Sequence, residues 1–551
     1  MAIWRVSLAG LFTGSALCNG KPMRPLLICF AIFFSGCGGP IDRPAREDKT
    51  HIVRVNDDEV RTLDPHKVSI VTDGRVVGDL FQGLIDLDVS GRPIPGQAQS
   101  WSVSDDGLTW VFILRPDLVW SDATPLSAED FVYSFRRLVL PATAAPYANL
   151  VNGWVGARAI LKGEAPAERL GVTALDSQTL EIQLIRPEPA LLNMLAYAAL
   201  VPVPRHVIAK HGDAWSRPGT LIGNGAYTLS SWRRQASMEM VKNRRFHAAD
   251  SVALDRVTYV PISDEMAAVR QFRAGEVDIV PDFPGTMAAV LEQQLGDQVH
   301  IGPYLTTFYW VFNTTKPPFD SPAVRRALSM SVDREAIIKS IMRTGNAPAY
   351  AMVPPDTGSY GPAHLPDWAS WPLEARRTEA KRLLEAVGIT PASRLEVVHR
   401  YNTSDTYQRI ALAIGQMWAE LGVDLVLFNS ETAVHYAALR SGDYVLGRAG
   451  WAADYAAPEN FLFVFASASK GLNYPRYRNP RYDELLDAAV SESDVPTRMA
   501  LMREAEAILI EDSPILPIFY YVSKYLVADD VTGWSPNVLS AHRSRWLGFA
   551  P

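Results

Sequence analysis

Strand-like and helix-like stretches alternate along the chain, and this alternation limits the fold more than any other feature of the sequence. Asp105-Asp106-Gly107 is turn chemistry. Beyond it Leu108, Trp110, Phe112 and Leu114 fall on one face of a strand, and Thr109, Val111 and Ile113 on the other. Ser127 then reads as a helix cap, with Glu129 and Asp130 facing the positive end of the helix dipole. Phe131, Phe135 and Leu138 follow at helical spacing, and Pro141 stops the helix. A second unit has a strand over Val257 to Val260, a cap at Ser263, an apolar helix face at Val269 and Phe272, a stop at Gly275 and a strand from Val277 to Val280. A third places Ile410, Ile414, Met417 and Leu421 on one helix stripe, ends at Gly422 and continues as a strand from Val423 to Phe428. A helix around Tyr436 to Leu439 and a strand from Tyr444 to Leu446 come next. Alternation of this kind predicts α/β lobes with largely parallel sheets.

Composition narrows the partners. Apolar residues make up 48% of the 551 and charged residues 21%, which excludes wholesale disorder. Lys plus Arg is 53 against 60 for Asp plus Glu, a net charge of −7. A nucleic-acid binder needs a basic surplus, so nucleic acid is not expected as a partner. The 14 Trp, 20 Tyr and 20 Phe suit a large, partly wet cavity, and they also build cores.

The first forty residues read as an address. Cys18, Cys29 and Cys37 are followed by 514 residues without a cysteine, the habit of a chain exported to an oxidising space. Lys21 and Arg24 form a basic region, Leu26 to Phe34 an apolar one, and Phe34-Ser35-Gly36-Cys37 a small-residue cleavage site. This tetrapeptide is similar to the bacterial lipoprotein box, with Phe34 where Leu is usual, and so implies a lipid on Cys37. An ordinary signal peptide cut near Gly36 is the alternative. Met23 makes a natural start, so residues 1–22 are expected to be an artefact of the chosen start codon. Residues 1–37 would be the leader and 38–50 a tether between lipid and domain.

Motifs with a catalytic mechanism are missing. No G-x-S-x-G elbow, H-E-x-x-H pair or G-x-x-x-x-G-K-[ST] phosphate loop occurs. Gly223-Asn224-Gly225 reads as a turn before a strand at Tyr227 to Leu229. His206, His211 and His399 lack the spacing of a zinc site and read as solvated or capping residues. No enzyme activity, cofactor or metal is expected.

Several segments, in order, carry a resemblance. They include Leu63-Asp64-Pro65-His66-Lys67, Ser100-Trp101-Ser102 through Trp110, Trp120-Ser121-Asp122 and Asp130-Phe131-Val132-Tyr133-Ser134. Asn224-Gly225-Ala226-Tyr227, Lys316-Pro317-Pro318-Phe319, Asp333-Arg334 and Arg448-Ala449-Gly450-Trp451 with Asp454-Tyr455 complete them. The chain thereby resembles the oligopeptide-binding proteins of bacterial ABC importers, extracytoplasmic solute-binding proteins of family 5. The resemblance implies an α/β, two-lobed periplasmic-binding-protein-like fold with hinge strands and an extra α/β domain on the first lobe. The first lobe would comprise 51–81, 208–305 and 522–551, the extra domain 82–207 and the second lobe 306–521. It also implies a receptor that closes on short peptides and delivers them to permease subunits with their ATPases. Such a receptor would work as a monomer in the periplasm or at the outer face of the cell membrane, held by the lipid. The same fold binding a dipeptide, haem or a nickel chelate, or acting as a sensor without a permease, is the alternative.

A receptor for many peptides must hold what all peptides share: the ammonium, the backbone and the carboxylate. Asp454 stands where the family anchors the ammonium. Arg448 and Arg440 resemble the arginines that take the C-terminal carboxylate, a task suited to the guanidinium fork. Trp451, Tyr147 and Tyr521 match pocket-lining positions, and Val71 a contact from the first lobe. Tyr407 stands where tripeptide-binding members carry a His, Thr432 where they carry a Trp, and Met342 where they carry a Lys. Thr306 and Ala452 occupy two positions that form a disulfide in some relatives.

Overall fold

The computed structural model describes residues 48–551 apart from Lys470 and Ser493. The leader, the lipid site at Cys37 and most of the tether lie outside the described residues.

An 11-stranded sheet runs through the molecule. At its centre two long antiparallel strands, Val299–Phe312 and Ile515–Val527, pair with each other. Their first half, Val299 to Pro303 against Val522 to Leu526, adjoins Ile279–Val280, His51–Asn56, Arg256–Pro261, Ser237–Lys242 and Tyr227–Arg233. Their second half, Thr307 to Val311 against Ile515 to Tyr520, adjoins Leu446–Ala452, Leu395–Asn402 and Val423–Ser430. The ladder is interrupted between Pro303 and Thr307. The protein therefore has two lobes joined by two continuous strands.

The sheet is mixed, not largely parallel. Parallel pairing is confined to His51–Asn56 with Arg256–Pro261 and Ile279–Val280, and to Leu395–Asn402 with its two neighbours. The other neighbours pair antiparallel; a short turn between Arg233 and Ser237 imposes this on one pair, and long connections join the rest.

A separate four-stranded antiparallel sheet, Ala98–Val103, Thr109–Leu114, Thr179–Gln183 and Val172–Ala174, builds the extra domain on the first lobe. The Asp106 carboxylate accepts from Ser104 Oγ at 2.6 Å and from the Leu108 amide at 3.0 Å, which closes the first turn. Helix Ala128–Val139 begins at a capping box, with the Ser127 amide donating to Asp130 at 2.9 Å. Phe131, Phe135 and Leu138 are fully buried on its inner face, and the Phe135 ring meets Trp154 edge-on at 5.0 Å.

Two expected boundaries move. Asp264, not Ser263, caps helix Glu265–Arg273, because its carboxylate reaches the Ala267 amide at 2.6 Å. Helix Asp405–Ala419 stops before Leu421, which packs in the core beyond its end while Gly422 turns the chain at φ 88°. The histidine reading also needs correction. His399 is buried and stacks on Trp310 at 3.8 Å between centroids, and burial holds its pKa well below the usual value.

The first lobe and the extra domain share one hydrophobic core, the first lobe has a second around Val269, Phe272 and Leu291, and the second lobe has a core on each face of its sheet. Tyr455 and Ala457 follow the second-lobe strand Leu446–Ala452, yet they pack into the first-lobe core. That insertion brings the segment after Ala452 against the extra domain.

Candidate functional site

The site is built on the end of strand Leu446–Ala452. Its last residue, Ala452, lies opposite Thr306 on the hinge strand, and the chain then bends away into helix Glu459–Leu462. Asn460, on that helix, pins the bend: its Oδ1 accepts from Trp451 Nε1 at 2.9 Å and from the Asp454 amide at 3.2 Å. The Asp454 side chain is thereby turned inward.

Two tyrosines from the extra domain meet it. Tyr147 precedes the turn Ala148–Val151, Tyr197 precedes Ala198–Leu200, and their rings stand edge-on at 4.8 Å. Both hydroxyls and the Asn460 side chain hydrogen-bond to the Asp454 carboxyl. Burial raises its pKa to about 6, and those hydrogen bonds pull in the opposite direction. Among the described residues no cation forms an ion pair with Asp454.

Asp454 opens onto a cavity of about 440 Å³ between the lobes. Trp451 and Asp454 line it from the second lobe, and Tyr147, Tyr197 and Val71 from the first lobe and its extra domain. Val71 begins helix Val71–Leu80 and is 56% exposed, so it stands in the cavity wall instead of the core. A volume of this size suits a small ligand, and polar groups converging on a mostly apolar pocket fix its orientation.

A second cluster surrounds Arg448 on the same strand. Its guanidinium donates to Tyr407 Oη at 2.8 Å, Tyr436 Oη at 2.9 Å, Tyr521 Oη at 3.1 Å and Asn402 Oδ1 at 3.2 Å. It also lies over the Tyr407 ring at 4.0 Å. The surrounding tyrosines hold its pKa above the ordinary guanidinium value despite burial.

A model of the bacterial extracellular solute-binding proteins, family 5, matches residues 92–473. The chain belongs to this family. It is 38% identical over 492 residues to the periplasmic oligopeptide-binding protein OppA of Escherichia coli K12, covering 89% of this chain and 90% of OppA. Among solved structures, the murein tripeptide binding protein MppA of Escherichia coli superposes with a TM-score of 0.84 at 36% identity, covering 91% of this chain and 99% of MppA. The complex of Haemophilus influenzae OppA with the peptide RPPGFSPFR gives 0.83 at 33% identity, covering 92% and 100%.

Of the residues that the family resemblance suggested, the structure brings Asp454, Trp451, Tyr147 and Val71 to one cavity. Arg448, Tyr407 and Tyr521 form the neighbouring cluster and do not line that cavity. Arg440 is exposed at the end of helix Thr432–Ser441 and hydrogen-bonds to Tyr474. Thr306 and Ala452, the two positions bridged in some relatives, are cross-strand neighbours here. Sequence reasoning passed over Tyr197, Asn460, Tyr436, and the cavity residues Arg75 and Arg543. Tyr197 and Arg543 reach the site through the fold, whereas Asn460, Tyr436 and Arg75 lie near Asp454, Arg448 and Val71 in sequence without a motif that marks them.

Proposed function

We propose that the chain is an extracytoplasmic receptor that binds short peptides between its lobes and delivers them to an ABC permease. One observation carries this reading: the Asp454 carboxylate, largely withdrawn from solvent, faces a cavity and has hydroxyl and amide partners but, among the described residues, no cation in ion-pair contact. A buried charge without a partner is costly, so the site is completed by a ligand that brings positive charge. A peptide α-ammonium does so at the end every peptide shares. At ~4 Å and an effective dielectric of ~20 the pair gains on the order of 4 kcal/mol before desolvation. The likeness to OppA, an oligopeptide-binding protein, and to MppA, a murein tripeptide binding protein, supports the same ligand class.

In this reading Arg448, with Tyr407 and Tyr521 about it, awaits the far carboxylate of longer peptides, and Arg440 stands further out. The hinge falls near 305/306 and 521/522, where the interrupted ladder supports it. The receptor is a monomer, is no enzyme, and draws transport energy from partner ATPases. A lipid on Cys37 keeps it at the membrane face.

Calorimetry on protein freed of co-purifying ligand tests the reading. Di- to pentapeptides are titrated, and at least one length binds. Failure of every length, with a non-peptide compound found by mass spectrometry of the purified protein, overturns it.

A further inference from the structure

The first-lobe wall of the cavity carries positive charge that the account above does not use. Arg75 and Arg543 both line the cavity that Asp454 lines. Arg75 is already engaged: it donates to Asn56 Oδ1 at 2.9 Å and lies 3.4 Å from Asp57 Oδ2. Nearby, Arg54 has Asp79 at 3.9 Å and Arg545 has Asp86 at 2.9 Å.

Arg543 is the surplus cation. The nearest carboxylate oxygen to it is Asp86 Oδ1, at 3.9 Å. Asp86 already accepts from Gln82 at 2.7 Å and from the Leu87 amide at 2.8 Å, besides its pair with Arg545. The buried Nε of Arg543 has no hydrogen-bond partner. The fold nevertheless makes room for this side chain. Gly78 lies inside helix Val71–Leu80, where glycine costs about 1 kcal/mol against alanine. A Cβ there would overlap the Arg543 guanidinium.

Arg543 and Asp454 line the same cavity, yet the two form no ion pair. Tyr304 also lines the cavity, and the charges of both Asp454 and Arg75 act on its phenol. His542 completes that wall as a neutral ring, since burial holds its pKa down to about 3, and it stacks on Trp534. The cavity is thus bipolar, anionic on one wall and cationic on the other.

We infer that Arg543, seconded by Arg75, forms a carboxylate subsite across the cavity from Asp454, so that the preferred ligands are short peptides with an acidic group close to their N-terminal ammonium. This rests on the peptide reading and deepens it. The acidic group comes either from an Asp or Glu side chain or, in the shortest peptides, from the C-terminus.

The test is calorimetry on the full protein with a neutral host peptide of the best-bound length. Glu and Gln are compared at each of the first three positions, and every peptide is made with a free and an amidated C-terminus. The proposal expects a preference of about tenfold or more, the size of a charged hydrogen bond, at one Glu position or for the free C-terminus. The first result assigns the side chain as the source and the second the terminus. In R543M, which keeps the length and removes the charge, that preference falls below about twofold. Neither Glu nor the free C-terminus preferred by more than about twofold in the unaltered protein overturns the subsite, whether or not R543M folds. A preference that R543M retains also overturns it. If no free peptide binds at all, the peptide reading has failed and the subsite falls with it.

Discussion

Asp454 is the residue on which the account turns, and its burial makes two predictions. The carboxyl has a pKa near 6 in the folded protein against about 4 unfolded. The folded state therefore binds the extra proton between these values, and stability of the ligand-free protein falls as pH rises through that window. Asp454→Asn removes the charge and keeps the shape. It is expected to stabilise the ligand-free protein at pH 7, on the order of 2–3 kcal/mol, with the gain vanishing below about pH 4. Chemical denaturation at several pH values reads this directly, and a loss of stability at pH 7 would contradict it. The second prediction concerns ligand. Peptide affinity weakens as pH drops below about 6, because the ammonium needs the ionised carboxylate. At this scale the sequence was informative only through resemblance. Asp454, Trp451, Tyr147 and Val71 could be named from it, whereas Tyr197 and Arg543 act across long chain separations that no local pattern encodes, and Asn460, though only six residues from Asp454, belongs to no motif that marks it.

The elements show what local chemistry does and does not decide. Helix Ala128–Val139 was legible because cap, apolar stripe and terminating proline lie within fifteen residues of one another. Ser127→Ala should cost about 1 kcal/mol in denaturant unfolding. The helix Val495–Asp512 teaches the opposite lesson. Its buried Arg498 lies 2.6 Å from Glu459 and 3.8 Å from Glu188 of the extra domain. Burial, reinforced by the Glu459 charge, pushes Glu188 up to about 7, with Arg498 pulling it back. Removing Arg498 leaves the buried Glu459 and the partly buried Glu188 without the charge that offsets them. R498M is expected to lose about 3–5 kcal/mol at pH 7, and R498M/E459Q to recover part of it. An R498M protein as stable as the parent would show the triad to be solvated. Nothing in the spacing of Glu188, Glu459 and Arg498 announces this cluster, since three separate elements supply it.

At the scale of the whole molecule, the alternation of strands and helices announced an α/β fold but misjudged the sheet. Hairpin turns and the two long hinge strands impose antiparallel pairing that helical periodicity alone does not foresee. Those strands run unbroken through both lobes, with the ladder interrupted between Pro303 and Thr307. A bend at that interruption would open and close the lobes around Asp454, a hinge motion. Peptide at a hundredfold excess over Kd should then stabilise the protein by about 2.7 kcal/mol and reduce its radius of gyration in small-angle scattering. An unchanged radius on saturation would argue against closure.

The most direct test compares one peptide in two forms. The best-bound peptide is titrated into the ligand-free protein by calorimetry with its N-terminus free and again with it acetylated. Acetylation removes the positive charge and leaves every side chain in place. The account predicts tight binding of the free peptide and its loss on acetylation. Equal affinity for both forms would show that Asp454 anchors no ammonium, and would contradict the central claim.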